Sequence, residues 1–204
     1  MSIDFVFPNE NEQELIDAAV SLGYDSLCFC YPYSKNHNLT AILAQDSKQV
    51  KLLTAFIFTE KNISKISSSK ADINILSTSS NIRFLIENYG NRIGYISSIE
   101  ASSKSDFLHH RNSGMNHIIG SIMKENNISI ILSLNSLLSA DNKQFPLYIG
   151  RIKQNIKLAR KYKIKVQLAS FASSHYQMRP KHDLIALLIT LGMHPKEAKA
   201  ALTP

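Results

Sequence analysis

Short runs of apolar residues alternate along this chain with stretches in which apolar positions recur every three or four residues. The first pattern is typical of strands buried in a parallel sheet, and the second of amphipathic helices. Strands are predicted in this way at residues 3–7, 25–31, Lys51–Phe58, 72–76, 92–99, 128–132 and 164–170. Because helical segments separate most of these strands, the chain is predicted to be a series of βα units.

The clearest helical pattern lies between the fifth and sixth predicted strands. Its apolar residues fall on one face of a helix, and Ser113 stands where an N-cap is expected. These apolar residues are Met115, Ile118, Ile119, Ile122 and Met123. Further helices are predicted at residues 81–88, 146–162 and 184–191, and Pro195 opens a short final helix.

The predicted fold is α/β, a TIM-like (β/α) barrel formed by a single domain over residues 1–204, with extra C-terminal helices. Seven strands without a long gap favour a closed or nearly closed barrel. A doubly wound open sheet is the alternative that the same pattern allows. Since the chain is short for eight complete βα units, we expect trimmed helices or an incomplete repeat.

No segment approaches the roughly 18 consecutive apolar residues that a membrane helix needs. The beginning of the chain also lacks a basic region ahead of an apolar stretch, which a secretory leader would show. We therefore expect a soluble cytoplasmic protein without a membrane partner. Cys28 and Cys30 stand two residues apart on one predicted strand, where burial as small apolar side chains is the simplest interpretation.

Charge divides the chain into two unlike halves. Residues 1–103 hold 8 Lys and Arg against 11 Asp and Glu, whereas residues 104–204 hold 15 against 5. The halves therefore carry formal charges of −3 and +10, within a net charge of +7. So basic a half favours a polyanionic partner, either nucleic acid or an anionic surface.

The strongest basic stretch lies in the helix predicted at residues 146–162 and just beyond it. Residues 151–165 contain seven Lys and Arg and no acidic residue. Four of these cations share the outer face of the helix and are candidate contacts for a phosphate backbone: Lys153, Lys157, Arg160 and Lys161. A solvated helix face is the alternative interpretation.

Two loops carry further candidates for contact with an anionic partner. Arg111 follows a pair of histidines just before a predicted helix N-terminus, and the spacing of these histidines does not match a helical zinc pair. The loop after the last strand carries Arg179, Lys181 and His182 near an aromatic residue, and in a βα barrel such a loop lies at the C-terminal face. Ordinary loop positions are the alternative for both segments.

The sequence shows no motif for catalysis or metal binding by this chain alone. It has no nucleophile motif, and its 7 glycines form no glycine-rich phosphate loop. We therefore predict no catalytic residue, no metal ligand and no bound cofactor.

Two runs in the basic half carry a family resemblance. They are HHRNSGMNHIIGSIMKENNISIILSLNSLL at residues 109–138 and RIKQNIKLARKYKIKVQLASFASSHYQMRPKHDLIALLITLGMHPKEAKAAL at residues 151–202. Their motifs, from the Arg111 to Gly114 helix opening through NIKLARKYK and RPKHDLI to GMHPKEAK, occur together in one order. In these motifs the second half resembles the ribonuclease P protein component 3 family, the thirty-kilodalton type of subunit in archaea and eukaryotes.

The resemblance implies a barrel of the polymerase and histidinol phosphatase type that serves ribonuclease P, the RNA-based endonuclease that removes 5′ leaders from precursor tRNA. It implies that the ribonuclease P RNA and its magnesium ions perform the hydrolysis. This chain would support that RNA together with a small ferredoxin-like protein subunit, and would meet precursor tRNA through the complex.

The same barrel leaves two other functions open. Phosphoesterase relatives of the family carry a His-x-His motif at the end of the first strand, where this chain has Asp4-Phe5-Val6-Phe7-Pro8. A free-standing metal-dependent phosphoesterase is nevertheless the alternative from a different class. A basic barrel without any RNA role is the third possibility, and it predicts weak RNA binding that salt does not affect.

Overall fold

The computed structural model describes residues 2–34, 49–77, 81–103 and 105–203, and within them it contains seven parallel strands. They are β1 (Ile3–Val6), β2 (Ser26–Pro32), β3 (Lys51–Phe58), β4 (Ile73–Ser77), β5 (Tyr95–Ser97), β6 (Ser129–Ser133) and β7 (Val166–Ala169). The strands pair in chain order from β1 to β7. A doubly wound sheet would reverse its order partway. The predicted TIM-like barrel is therefore confirmed, and the open sheet is excluded.

Helices surround this barrel on the outside. Within the described residues they are α1 (Glu12–Ser21), α2 (Ile82–Tyr89), α3 (His117–Glu125), α4 (Leu134–Leu138), α5 (Gln144–Tyr162), α6 (Lys181–Thr190) and α7 (Pro195–Ala200). Short 3-10 segments occur at Ile63–Ser68, Gly90–Arg92, Ile99–Ala101 and His175–Gln177. Because α6 and α7 both follow β7, the extra C-terminal helices are confirmed.

Backbone hydrogen bonds close the barrel between β1 and β7 at their carboxyl ends. The Phe171 N–H donates to the Phe5 carbonyl oxygen, and the Phe7 N–H donates to the Ala172 carbonyl oxygen, each at 2.8 Å. Phe5 is part of β1, Phe7 directly follows that strand, and Phe171 and Ala172 come shortly after β7.

The segment after α7 fills the gap between the amino ends of the same two strands. The Ile3 N–H donates to the Leu202 carbonyl oxygen, and the Leu168 N–H donates to the Ala201 carbonyl oxygen, each at 2.9 Å. Satisfying these buried groups lets seven strands form a nearly closed barrel.

Small side chains occupy much of the barrel interior. Cys28, Cys30, Ala55 and Ala169 are buried there around the ring of Phe5. Both cysteines are free thiols, so their predicted burial as small apolar residues is confirmed. A larger apolar core lies between the sheet and the helices.

Helix α3 does not begin where the sequence predicts. Its N-cap is Asn116, whose Oδ1 accepts a hydrogen bond from the Ile119 N–H at 2.9 Å. Ser113 is instead buried in the preceding loop, and Gly114 after it has a φ of +78°. A residue with this backbone conformation cannot belong to a right-handed helix, so the helix starts after it.

Candidate nucleic-acid interface

Helix α5 places predicted basic residues on the outside of the barrel. Its 19 residues bury Ile152, Ile156 and Ala159 against the core. Lys153 and Lys157, four residues apart, lie on the exposed face. The helix contains no Asp or Glu, and neither lysine forms an ion pair or side-chain hydrogen bond within the described residues. Both ammonium groups are therefore available to a partner.

Arg111 joins this face of α5 from the loop before α3. Its guanidinium lies against Gly150, where an added Cβ would come within 2.6 Å of the Arg111 Nε. Together with Lys153, Lys157 and Arg160, Arg111 lines a depression of about 380 Å³ between α5 and the end of α6. This α5–α6 depression thus brings together four of the eight residues that were predicted to contact RNA, and no Asp or Glu lines it.

Arg160 is held by intramolecular contacts within the α5–α6 depression. Its Nη2 donates to Glu197 Oε2 at 2.6 Å and to the Gly192 carbonyl oxygen at 3.1 Å, while its Nε donates to Glu197 Oε1 at 2.8 Å. The hydrogen bonds from Arg160, together with one from the His194 N–H, lower the pKa of Glu197 to about 2. Because this pair joins α5 to α7, Arg160 offers a partner less free positive charge than the two lysines.

Lys161 lines a second depression of about 720 Å³, which lies between residues 102–103 and 107–117 on one side and helices α3 and α5 on the other. Arg111 and Gln154 line both this α3–α5 depression and the α5–α6 depression, so the two are adjacent. The Lys161 Nζ lies 5.6 Å from the centre of the Tyr162 ring. The five predicted residues on or beside α5 therefore belong to one continuous surface.

Arg151 belongs to the basic stretch in sequence but does not face solvent. Its fully buried guanidinium donates from Nε to Asp106 Oδ1 at 2.7 Å. From Nη1 it donates to the carbonyl oxygens of Glu100 and Ser103, at 2.8 and 2.7 Å. Arg151 therefore fastens the loop that carries Arg111 onto α5.

The pKa values of two carboxyl groups near Arg151 are shifted in opposite directions. Burial opposes ionisation of Asp106, but hydrogen bonds from Arg151 and from the Asn112 N–H outweigh it and hold the pKa of this carboxyl below its ordinary value. Burial raises the pKa of Glu100 to about 7, although the charge of Arg151 opposes the rise. Neither carboxylate oxygen of Glu100 has a hydrogen-bond partner within the described residues.

The other three predicted residues lie in a different part of the molecule. The loop after β7 runs along α1, and the Tyr24 hydroxyl donates to the Arg179 carbonyl oxygen at 2.8 Å. The Lys181 Nζ donates to the carbonyl oxygen of Gly23, which shortly precedes β2. Arg179, Lys181 and His182 therefore lie toward the N-terminal face of the barrel, and their expected position at the C-terminal face is wrong.

The side chains of these three residues also differ in their intramolecular contacts. The Arg179 Nη1 donates to the carbonyl oxygens of Tyr176 and Met178, at 2.7 and 2.9 Å. The His182 Nε2 lies 3.1 Å from Asp183 Oδ1, and the His182 side chain is 82% exposed. Thr190, which lines the α5–α6 depression, stands nine positions after Lys181 in α6, a rise of about 14 Å along the helix. RNA contact by these residues stays a prediction.

Sequence reasoning missed the aromatic part of the basic surface. Phe107 is 56% exposed, lines the α3–α5 depression and stacks on His110 with ring centres 4.5 Å apart. The available signal was a Phe-Leu pair in a polar loop directly before two histidines. Exposed apolar side chains that are grouped together indicate a binding surface.

The described residues contain no group of three or more His, Cys, Asp or Glu that could hold a metal ion. Directly after β1, Phe7 stacks on Phe171 with ring centres 4.8 Å apart. Phe7 thus stands directly after the first strand, where the family resemblance places the His-x-His motif of the phosphoesterase relatives.

No helix in the described part of the chain is long and apolar enough to cross a membrane.

Comparison with known proteins places the basic half in a family. Residues 104–204 match the family model described as RNase P subunit p30. Ribonuclease P protein component 3 of Methanococcoides burtonii is 30% identical over 106 residues, which cover 50% of this chain and 44% of the relative. That of Methanosarcina acetivorans is 30% identical over 102 residues, covering 48% and 43%. The matched part of the chain thus spans less than half the length of these curated relatives.

Solved structures resemble the barrel over nearly its whole length. A chain in a cryo-EM structure of archaeal ribonuclease P with mature tRNA matches with a TM-score of 0.79 and 20% identity, covering 98% of this chain and 86% of that chain. A probable 2-pyrone-4,6-dicarboxylic acid hydrolase from Acinetobacter baumannii matches at 0.67 and 10% identity, covering 99% and 96%. At such identities the likeness concerns the fold. The likeness of the basic half goes beyond the fold, because residues 104–204 match the RNase P subunit p30 family in sequence and carry the ordered motifs.

Proposed function

We propose that this chain is a protein subunit of ribonuclease P, the RNA-based endonuclease that removes 5′ leaders from precursor tRNA. The observation that carries the proposal is the location of the basic surface. Arg111, Lys153 and Lys157 form no ion pair or side-chain hydrogen bond within the described residues, and all three lie within residues 104–204, the part of the chain that matches the family. The named relatives are components of ribonuclease P, which supports the same role here.

The α5–α6 depression suits the backbone of an RNA strand. Lys153 and Lys157 are neighbours on one helix face, where each ammonium group can contact a phosphate. Arg111 adds a planar guanidinium, which can bind two phosphate oxygens at once. Like charges placed so closely repel one another in the free protein, and a bound phosphate backbone relieves that repulsion.

In the proposed complex the ribonuclease P RNA and its magnesium ions carry out the hydrolysis. This chain binds no cofactor of its own, and it supports the RNA together with a small ferredoxin-like subunit. It meets precursor tRNA through the complex, and a cytoplasmic location belongs to the same proposal. The lack of a nucleophile motif or phosphate loop in the sequence supports the non-catalytic part.

Reconstituted cleavage of a precursor tRNA tests the proposal. The cognate ribonuclease P RNA and its other protein subunits are assayed at moderate magnesium with and without this chain. The test variant is Arg111→Gln/Lys153→Gln/Lys157→Gln, which leaves the Arg160–Glu197 pair intact. A matched control, Lys61→Gln/Lys65→Gln/Lys70→Gln, removes three exposed charges from the first half of the chain.

We expect the intact chain and the control variant to raise correct 5′ cleavage, and the test variant to lose most of this effect. If the intact chain has no effect, the proposed function fails. If the test variant is as active as the intact chain, the α5 surface is not the RNA contact, and Arg179, Lys181 and His182 become the next candidates. Hydrolysis of phosphate esters by the chain alone, with stoichiometric metal, would instead favour the phosphoesterase alternative.

A further inference from the structure

The α3–α5 depression has a lining that phosphate binding alone does not explain. It combines the aromatic rings of Phe107 and Tyr162 with several side-chain amides, and no Asp or Glu lines it. Its volume of about 720 Å³ is nearly twice that of the adjacent α5–α6 depression, about 380 Å³. Rings and amides are the groups that proteins use to bind unpaired RNA bases, by stacking on the base and bonding to its edges.

The exposed ring of Phe107 is held in place by its neighbour His110. His110 covers it in a stacked arrangement, with the two ring planes inclined by 30°. The Phe107 N–H donates to the His110 carbonyl oxygen at 3.0 Å, so the backbone forms a tight turn that keeps the two rings together. More than half of the Phe107 side chain stays exposed and can stack on a ligand.

Tyr162 is held in place on the α5 side of the same depression. Its ring packs so closely on α3 that a Cβ added at Gly120 would come within 2.8 Å of the ring. Lys161 lies next to it, with its Nζ 5.6 Å from the ring centre. The depression therefore has fixed aromatic groups on both the loop and the helix that line it.

Unpaired amides supply groups that can bond to the edge of a base. The side-chain amides of Asn112 and Gln154 form no hydrogen bond within the described residues, and both line the depression. Asn116 uses only its Oδ1 to cap α3, which leaves its NH₂ group free as a donor. Amide groups donate and accept hydrogen bonds, as the edges of bases require.

We infer that the α3–α5 depression binds an unpaired base of an RNA strand whose phosphates lie in the α5–α6 depression. Arg111 and Gln154 line both depressions, so a nucleotide can place its base on one side of Arg111 and its phosphate on the other. This inference rests on the proposed function and adds to it the class of ligand, a single-stranded segment with an exposed base.

Two RNA probes with the same phosphates separate base binding from phosphate binding. One is a uridylate hexamer, and the other is a hexamer of abasic nucleotides. Binding of both to the full chain is measured at one fixed salt concentration. The variants are Phe107→Ala, Phe107→Tyr, which keeps a ring, and Phe84→Ala, which removes a similarly exposed ring outside the depression.

We expect the intact chain to bind uridylate at least about five-fold more tightly than the abasic hexamer, because stacking on an aromatic side chain is worth that much or more. Phe107→Ala should remove this preference, while Phe107→Tyr and Phe84→Ala keep it. A 4-thiouridine hexamer should form photo-crosslinks with the intact chain in peptides that contain Phe107 or Tyr162, a readout that needs no variant.

Equal affinity of the intact chain for the two hexamers overturns the inference, as does crosslinking confined to other peptides. If Phe107→Ala weakens only the binding of the partner protein subunit, the depression is a protein contact and the inference is also wrong. The proposed function is judged separately, by precursor tRNA cleavage. The inference can therefore fail while the intact chain still raises cleavage.

Discussion

At the scale of single residues, the seam of the barrel contains a carboxyl group in an unfavourable position. Asp4 of β1 is fully buried, and burial raises its pKa to about 6. Its Oδ1 accepts hydrogen bonds from the Ser170 N–H at 2.8 Å and the Phe5 N–H at 2.9 Å, which oppose the rise. Its Oδ2 has no partner within the described residues. The folded protein therefore holds a proton on Asp4 at pH values where the unfolded chain has released it.

This arrangement predicts how Asp4→Asn changes the pH dependence of stability. The pKa of Asp4 is higher in the folded state than in the unfolded chain, so protonation of Asp4 stabilises the fold. This stabilisation is fully present below pH 3.8 and is lost as the pH rises through about 6. Asn keeps the oxygen that accepts both N–H groups but does not titrate. Between pH 3.8 and 7 the free energy of unfolding of the wild type should fall relative to the variant, by up to about 3 kcal/mol. Urea unfolding across this range measures the difference, and a constant difference would contradict the assignment.

Two features of the structure require a glycine at position 114. Its φ of +78° favours glycine, and an added Cβ would lie 2.3 Å from the Ile99 carbonyl oxygen. We predict that Gly114→Ala lowers the free energy of unfolding by more than about 2 kcal/mol. Gly192→Ala is the matched control, because Gly192 has a φ of +102° but no atom within 4 Å of its added Cβ. Urea unfolding of both variants should show the larger loss at Gly114, and equal losses would mean that the carbonyl contact is unimportant.

At the scale of elements, Arg151 joins Glu100, Ser103 and Asp106 to α5. Arg151→Gln should lower the free energy of unfolding by about 3–5 kcal/mol, since it leaves buried carbonyl oxygens without a donor and Asp106 without its cation. Arg83→Gln is the control, because Arg83 pairs with Glu87 on the exposed surface of α2, where the loss should stay below about 1 kcal/mol. Chemical denaturation of the two variants tests this difference, and similar losses would show that burial adds nothing to the Arg151 contacts.

Element positions could be predicted where the pattern of apolar residues alone decides them. Strand β3 occupies Lys51–Phe58, as predicted at both ends. The strand predicted at residues 92–99 is only Tyr95–Ser97, because the 3-10 segment Gly90–Arg92 precedes it and Ser98, with a φ of +54°, ends it. Helix α4 was not predicted, since its apolar residues directly continue those of β6. The misses therefore occur where a turn or a short helix directly adjoins a strand, a boundary that leaves little mark on the pattern of apolar residues.

At the scale of the whole molecule, the barrel follows from the sequence more directly than the binding surface does. The repeat of buried strands specifies the topology, and the spacing of Lys153 and Lys157 specifies one helix face. Tertiary contacts decide the rest. Gly150 allows Arg111 to reach α5, and Glu197 holds Arg160 in place. Contacts of this kind join residues far apart in the chain, so no local pattern reveals them.

The salt dependence of RNA binding tests whether the charge of the molecule acts through the surface on α5. Each phosphate contact releases counterions, so the logarithm of the binding constant falls with the logarithm of salt concentration by about 0.7 to 0.9 per contact. Lys153→Gln/Lys157→Gln should therefore make this slope shallower by roughly 1.5. The control Lys61→Gln/Lys65→Gln makes the same change in net charge in the acidic half and should leave the slope unchanged. Titrations of the ribonuclease P RNA at several salt concentrations give both slopes. If both variants shift the slope equally, net charge rather than a defined surface governs binding, whereas a change confined to the first variant assigns the contacts to α5.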